Sequence, residues 1–296
     1  MAVKQLQSPR PKVACEIGAE RVIAARSGKS GTLDIYSSRR LATGTLNPGL
    51  ASPNVLQAEA LREAITGALG TVSGGAKDII AIIPDAAGRV LLLDFESLPD
   101  KTEQAAAIIR FRVKKSLPFD VEHAALSYHV GSANGMLKVV AALSPQTVVQ
   151  EYEAAFRDCG YSPGVVMPST IAALGMVQAD RPTMMVKVDP NSTSVVIVDR
   201  DDLILLRTLD RSRGEITAQQ LASQIHPSMV FYEDTYSARI EQILVTGLSN
   251  VDSLNNALQS EVGVNVSNLG SDSQGEGLGE PLPKFMLASV GGALLS

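Results

Sequence analysis

Residues Met184–Leu209, MMVKVDPNSTSVVIVDRDDLILLRTL, restrict the fold more than any other stretch. They read as strand, tight turn, strand, turn, strand. Met184–Val188 is largely apolar. Asp189-Pro190-Asn191-Ser192 is turn chemistry, and Val195–Val198 is a continuous β-branched run. Leu203–Leu206 closes the meander after Arg200-Asp201-Asp202. The same pattern occurs near the N-terminus: Val13–Ile17, then Gly18-Ala19-Glu20, then Arg21–Ala25, then a turn at Gly28–Gly31. Two strand–acidic turn–strand units, one at the start of each half, imply a duplicated α/β architecture with a cleft between the halves. In such folds the two turns face each other and clamp a nucleotide phosphate through backbone N–H groups.

At 296 residues the chain suits two compact lobes or one large α/β unit. The aromatic fraction is low and Trp is absent, so Ala, Val and Leu must build the interior. A net charge of −5 gives no general attraction to nucleic acid or anionic lipid. Cys15, in a predicted strand, and Cys159, at a helix end, form neither a disulfide framework nor a metal set, so reduced thiols in the cytosol are expected. Met1–Pro11 has no apolar core, and no run approaches the roughly 20 apolar residues that span a bilayer. The sequence predicts a soluble protein that meets a membrane only through a partner.

In chain order, Thr32–Ile35 and Leu41–Thr45 read as further strands. Ser52-Pro53 reads as a helix start, with Leu56, Ala60, Ala64, Ile65 and Ala68 on one face and Gly70 at the end. Asp78–Ile83 and Gly88–Phe95 are predicted strands. Asp100–Ser116 is a predicted helix with Ala105, Ile109 and Val113 toward the core, ended by Pro118. Ala124–Val130 and Met136–Leu143 read as a hairpin, and Pro145–Cys159 as a helix capped by Ser144. Val165–Met167 is a short strand and Pro168–Val177 a helix. Thr217–Ile225 and Pro227–Ala238 read as helix broken at Pro227. Ile243–Val245 and Val264–Val266 are strands around a helix at Val251–Ser260. Gly270–Pro283 reads as a flexible loop. Lys284–Leu295 is a closing helix whose Ala288, Ser289, Gly291 and Gly292 imply close packing on a sheet.

Asp78–Val177 resembles the type IV pilus assembly protein PilM family. The residues that carry the resemblance are Ile83-Pro84, Ile109-Arg110-Phe111, Lys115-Ser116-Leu117-Pro118-Phe119 and Ala125-Leu126-Ser127-Tyr128. The helix from Val149 to Gly160 with Tyr161 after it continues the match, as does Pro168-Ser169-Thr170 before Ala172-Ala173-Leu174. The resemblance implies a duplicated actin-like (ribonuclease H-like) two-lobed α/β fold related to the division protein FtsA. It also implies an inserted small subdomain in the first half and a reduced second half, its helical lid mostly missing. The expected division is a first lobe at 1–77, the inserted unit with its return helix at 78–160, and a second lobe at 161–296. The implied role is a scaffold at the cytoplasmic face of the inner membrane, in the pilus assembly platform. It would hold the cytoplasmic N-terminus of a PilN-like single-span membrane protein in a groove beside the inserted subdomain. Pilus motor ATPases and further copies of the chain, as an oligomer or ring, are the other implied partners.

The family's first phosphate turn runs Asp-Ile-Gly-Ser-Ser, and here it is Glu16-Ile17-Gly18-Ala19-Glu20. A hydroxyl is lost at Ala19, and Glu20 adds negative charge where phosphate would sit. The second turn runs Asp-Ile-Gly in the family and is read here as Asp189-Pro190-Asn191-Ser192-Thr193, in which Pro190 has no N–H to give. The adenosine motif keeps one glycine in Thr246-Gly247-Leu248. Glu16, Gly18, Asp189, Asn191, Thr193 and Gly247 thus mark a degenerate nucleotide cleft. The reading adopted is a pseudo-ATPase without cofactor, its turns relics that hold strands in register. The alternative is a weakly hydrolysing switch in which Glu16 and Asp189 hold Mg²⁺ of Mg-ATP through water.

Gly28-Lys29-Ser30 lacks the spacing and the following helix of a P-loop. His123, His129 and His226 are too scattered for a metal set. Arg110, Arg112, Lys114 and Lys115 form the one basic cluster, a solvated face or a rim for a partner peptide or lipid headgroups. Ile109, Arg110, Val113, Lys114, Leu117 and Phe119 are the expected partner-binding residues, with core packing an equal reading for the apolar four. A type II secretion platform protein of the same fold is a further alternative. Such a protein continues into a transmembrane helix, which this sequence does not show.

Overall fold

A computed structural model describes residues 10–28, 32–133, 135–200, 202–212, 214–258, 264–270, 273 and 275–295. Residues 1–9, most of the expected turn at 28–31 and the end of the helix expected at 251–260 lie outside them.

Two sheets repeat one plan. The first contains β1 (Val13–Ile17), β2 (Arg21–Ser27), β3 (Leu33–Arg40), β4 (Asp78–Ile83), β8 (Ser162–Pro168) and β14 (Glu276–Gly279), in the order β14-β3-β2-β1-β4-β8. The second contains β9 (Thr183–Asp189), β10 (Ser192–Asp199), β11 (Asp202–Asp210), β12 (Gln242–Thr246) and β13 (Asn265–Asn268), in the order β11-β10-β9-β12-β13. In each, a three-stranded antiparallel meander is extended by parallel strands laid on its first member. The duplication expected from the two turn units is present. A third sheet, β5 (Arg89–Phe95), β6 (Ala124–Ala133) and β7 (Met136–Pro145), runs β5-β7-β6 and is filled by α2 (Thr102–Val113). The first sheet draws strands from all three stretches into which the sequence was divided.

Alternation along the strands sets the layers. Val13, Cys15 and Ile17 face α1 (Ala58–Val72) and α3 (Gln146–Asp158), whose Leu61, Ile65, Tyr152 and Phe156 complete that core. Met184, Val186 and Val188 face α5 (Ala218–Tyr236) and α6 (Val251–Leu258). The opposite faces, Ala14 on β1 and Met185 on β9, look toward α4 (Ser169–Leu174) and α7 (Ala288–Leu295), which lie between the sheets. That contact is tight. A Cβ on Gly292 would stand 2.1 Å from the Ala172 carbonyl, and one on Gly175 2.4 Å from the Gly292 carbonyl. The small residues near the C-terminus therefore serve a helix pair as well as a sheet.

Several expectations are corrected. Leu41–Thr45 is a turn, its backbone bonded to Glu20 and internally from Thr45 to Ala42. Helix α1 starts at Ala58, six residues after Ser52, because Glu151 accepts from the Asn54 and Val55 amides and fixes that segment as loop. Leu56 is accordingly exposed, and the helix runs through Gly70 to Val72. Ser144 does not cap α3; its hydroxyl donates to Ala87 O at 2.6 Å. Pro227 does not break α5. The helix buries Leu221, Ala222, Ile225 and Tyr232. Burying four such side chains, at about 1.5–3 kcal/mol for each large one, outweighs the roughly 3 kcal/mol that an interior proline costs. Finally, the expected loop at 270–283 contains β14, which pairs in parallel with β3 from Ile35 to Ser38. Glu280, just after it, reaches Arg21 at 3.6 Å and Arg40 at 3.8 Å. A strand from the second half of the chain thus straps the outer edge of the first sheet.

Candidate functional site

The ends of β1 and β9 carry turns that face each other across a cleft of about 670 Å³. Both turns, Arg211, and the 246–250 segment after β12 line it.

Strand register shows which residues match between the halves. Glu16 pairs with Ile23 and Ile17 with Val22, while Lys187 pairs with Ser194 and Val188 with Thr193. In the parallel direction Glu16 lies opposite Ile82, and Lys187 opposite Thr246. Counted from the turns, Lys187 is the counterpart of Glu16, and Asp189 the counterpart of Gly18. The alignment that set Asp189 against the family's second aspartate is therefore two residues out of step. The position facing Glu16 is a lysine.

Lys187 and Glu16 both sit on the inner faces of their sheets, as alternation from Met185 and Ala14 requires. The Lys187 ammonium lies 2.5 and 2.6 Å from the two Asp189 oxygens and 3.9 Å from Glu16 Oε1. Ser169 Oγ, at the start of α4, also donates to Glu16 and stands 3.1 Å from Ser289 Oγ on α7. Below them Asp85, in the 3₁₀ turn after β4, accepts from the Thr170 amide at 2.8 Å and from Ser194 Oγ at 3.1 Å. Glu16, Asp85 and Lys187 are all buried. Burial pushes the Glu16 and Asp85 carboxyls above the usual carboxylate range, with Lys187 pulling each back. Burial alone would lower Lys187; Asp189, Asp85 and Glu16 together hold it above an ordinary lysine. It stays charged, and its charge is spent inside the protein.

Of the remaining expected site residues, Gly18 and Asn191 are committed to the fold, and Thr193 is not hydrogen-bonded. The Gly18 amide donates to Arg21 O at 2.8 Å inside its own turn. Asn191 Nδ2 donates to Pro48 O at 3.2 Å. Thr193 is fully buried, and its hydroxyl has no hydrogen-bond partner among the described residues. Gly247 has φ +81°, and a Cβ there would lie 2.0 Å from Val188 O. The chain path needs that glycine whether or not a ligand approaches. Arg211 staples the second turn. Its amide donates to Asn191 O at 2.9 Å and its guanidinium to Asp189 O and, at 2.6 Å, to Gly214 O.

These donors do not fit Mg-ATP. Both carboxylates proposed to hold Mg²⁺ through water are already engaged by Lys187, and the first-turn amide is used internally. No group of three or more His, Cys, Asp or Glu among the described residues is placed to hold a metal ion. Lys187, Asp85, Ser169 and Arg211 are not among the site residues expected from the sequence. For Lys187 the available signal is a single lysine of the right parity inside the otherwise apolar run Met184–Val188.

The expected partner residues divide. Ile109 and Val113 are buried in the core between α2 and the third sheet, so their side chains are shielded from any partner. Of the two readings open for them, groove or core, these two take the core one: the helix turns its regular i, i+4 face inward. Leu117 and Phe119 pack only partly against that core. Arg110 donates to Val121 O, and Lys114 pairs with Glu122 at 3.4 Å.

No family model matches the sequence, and no curated protein matches it. Solved structures do. A structure described as a PilM-PilN type IV pilus biogenesis complex superimposes with a TM-score of 0.76 at 18% identity, covering 97% of this chain and 98% of that one. The cytoplasmic domain of EpsL, an inner membrane component of the type II secretion system of Vibrio cholerae, gives 0.55 at 12% identity, covering 96% and 94%. A Bacteroides thetaiotaomicron protein with actin-like ATPase fold and unknown function gives 0.53 at 12%, covering 86% and 90%. The chain has the mixed α/β actin-like ATPase fold. Among the described residues no helix is long and apolar enough to cross a membrane.

Proposed function

We propose that this chain is a non-catalytic adaptor, a PilM-like scaffold of the type IV pilus assembly platform at the cytoplasmic face of the inner membrane. In this reading it holds the cytoplasmic N-terminal segment of a PilN-like membrane protein. The observation that carries the reading is Lys187. An actin-type cleft with matched acidic turns needs a cation from outside, whereas here the second half supplies its own, ion-paired and buried. The full-length likeness to a PilM–PilN complex supports the choice of partner, and the weaker likeness to EpsL ranks a secretion-platform role below it. The third sheet with α2 is the inserted unit. Leu117 and Phe119, half-buried at its edge, are the apolar contacts proposed for an extended peptide, with Arg110 and Lys114 at the rim.

Equilibrium titration with a fluorescent ATP analogue and Mg²⁺ tests the cleft. The expected result is no saturable binding at micromolar concentrations; Mg²⁺-dependent micromolar binding overturns the pseudo-ATPase assignment. Affinity capture from membranes should recover a single-span protein with a short cytoplasmic N-terminus. A synthetic peptide of that N-terminus should bind the purified chain and lose affinity in Phe119→Ala. The second reading, a nucleotide-dependent switch, is favoured by one feature, the open cleft volume between the turns. The same titration decides it.

A further inference from the structure

Helix α2 has a second face that the adaptor reading leaves unused. Ala105, Ile109 and Val113 point into the third sheet. On the outer side, spacings of three and four residues align Gln104, Ile108, Phe111 and Arg112 in one stripe, with Lys101 just before the helix and Lys115 in the turn after it. Phe111 is 81% exposed, more than any other large apolar side chain described, and Ile108 beside it is 39% exposed. Residues 101–115 carry five cations and a single anion, Glu103, in a chain whose net charge is −5. Two of those cations are engaged locally, Arg110 with Val121 O and Lys114 with Glu122. Lys101, Arg112 and Lys115 make no ion pair among the described residues.

We infer that this stripe docks on an anionic lipid surface. Phe111 and Ile108 enter the headgroup boundary, and Lys101, Arg112 and Lys115 meet the acidic headgroups around them. Amphipathic helices lie on membranes in this way, with apolar side chains down and basic ones flanking. The shape of the face selects a bilayer over an acidic peptide. The stripe lies on the exposed side of a helix, and its Phe111 is the most exposed large apolar side chain described, so its apolar contact protrudes instead of lining a groove. A flat, deformable surface accommodates a protruding Phe ring without a preformed pocket. The negative charge of the rest of the chain opposes the approach, so attachment is weak, local and salt-sensitive. The inference does not depend on the pilus partner or on the state of the cleft.

The test is flotation of the purified full chain with vesicles of phosphatidylcholine alone and of phosphatidylcholine mixed with phosphatidylglycerol. Binding is expected only to the mixed vesicles and is expected to fall as salt is raised. Phe111→Ser and the double change Arg112→Gln with Lys115→Gln should each weaken the partition by about tenfold. All three side chains are exposed, so unchanged thermal unfolding of the variants is part of the expected result. Absence of binding to the acidic vesicles at low salt overturns the inference. So does equal binding to both vesicle types, or full binding by both variants. Capture of a protein partner that is lost in Phe111→Ser, without vesicle binding, assigns the stripe to a protein contact and overturns it as well.

Discussion

The β1–β2 and β9–β10 hairpins share register, burial and position, yet carry opposite charge at the matched site, Glu16 against Lys187. In a duplicated fold such positions confront each other across the cleft. Two carboxylates there would repel and call for an external cation. One carboxylate and one ammonium need nothing further. At 3.9 Å their gross attraction is about 4 kcal/mol at an effective dielectric of 20. Desolvation of each ion costs several kcal/mol, so the intact pair gains little net stability. What the pair does create is a penalty for removing the lysine alone. Lys187 faces three acidic groups, whereas burial outweighs the one base that Glu16 faces.

The largest effect is expected from Lys187→Met. The substitution leaves Glu16, Asp85 and Asp189 without their shared cation and should cost about 3–5 kcal/mol in urea unfolding at neutral pH. A loss below about 1 kcal/mol would show that the carboxylates find other partners and would break the comparison. The glycines give the next contrast. Gly247→Ala forces a Cβ against Val188 O at a positive φ and should cost about 1–3 kcal/mol. Gly18→Ala meets Arg21 O only at 3.2 Å, at an ordinary φ, and should cost less than about 1 kcal/mol. Equal costs would mean that the two turns are not differently constrained.

Much of this was legible in the sequence. The strands of both meanders follow from β-branched runs bounded by turn residues, and the inward face of α2 from its i, i+4 spacing. Three kinds of information were not local. Strand β14 is the run Glu-Gly-Leu-Gly, with no β-branched residue, and exists only because β3 offers it an open edge. The loop before α1 is held by Glu151, nearly a hundred positions away in sequence. The continuation of α5 through Pro227 depends on the sheet it covers. At the cleft, the sequence pattern sought an aspartate and found Asp189. Only strand pairing reveals that Lys187 holds the matched place, because the second turn has diverged in composition while its register has not.

The smallest effect is also the one that tells which side of the pair bears the electrostatic cost. Burial raises the Glu16 carboxyl above its usual value, more than Lys187 and the Ser169 hydroxyl lower it. A carboxyl raised on folding favours the folded state below its unfolded value, about 4.3, and loses that contribution as pH rises through the higher folded value. Glu16→Gln abolishes this titration while Lys187 keeps Asp189 and Asp85. The variant and the parent should therefore unfold alike near pH 4. The variant should become the more stable of the two toward pH 7. Urea midpoints measured across that interval read the sign directly. If the parent gains on the variant as pH rises, Lys187 overcompensates for burial, Glu16 titrates below its unfolded value, and the cost of the cleft's internal ion pair lies on the lysine side alone.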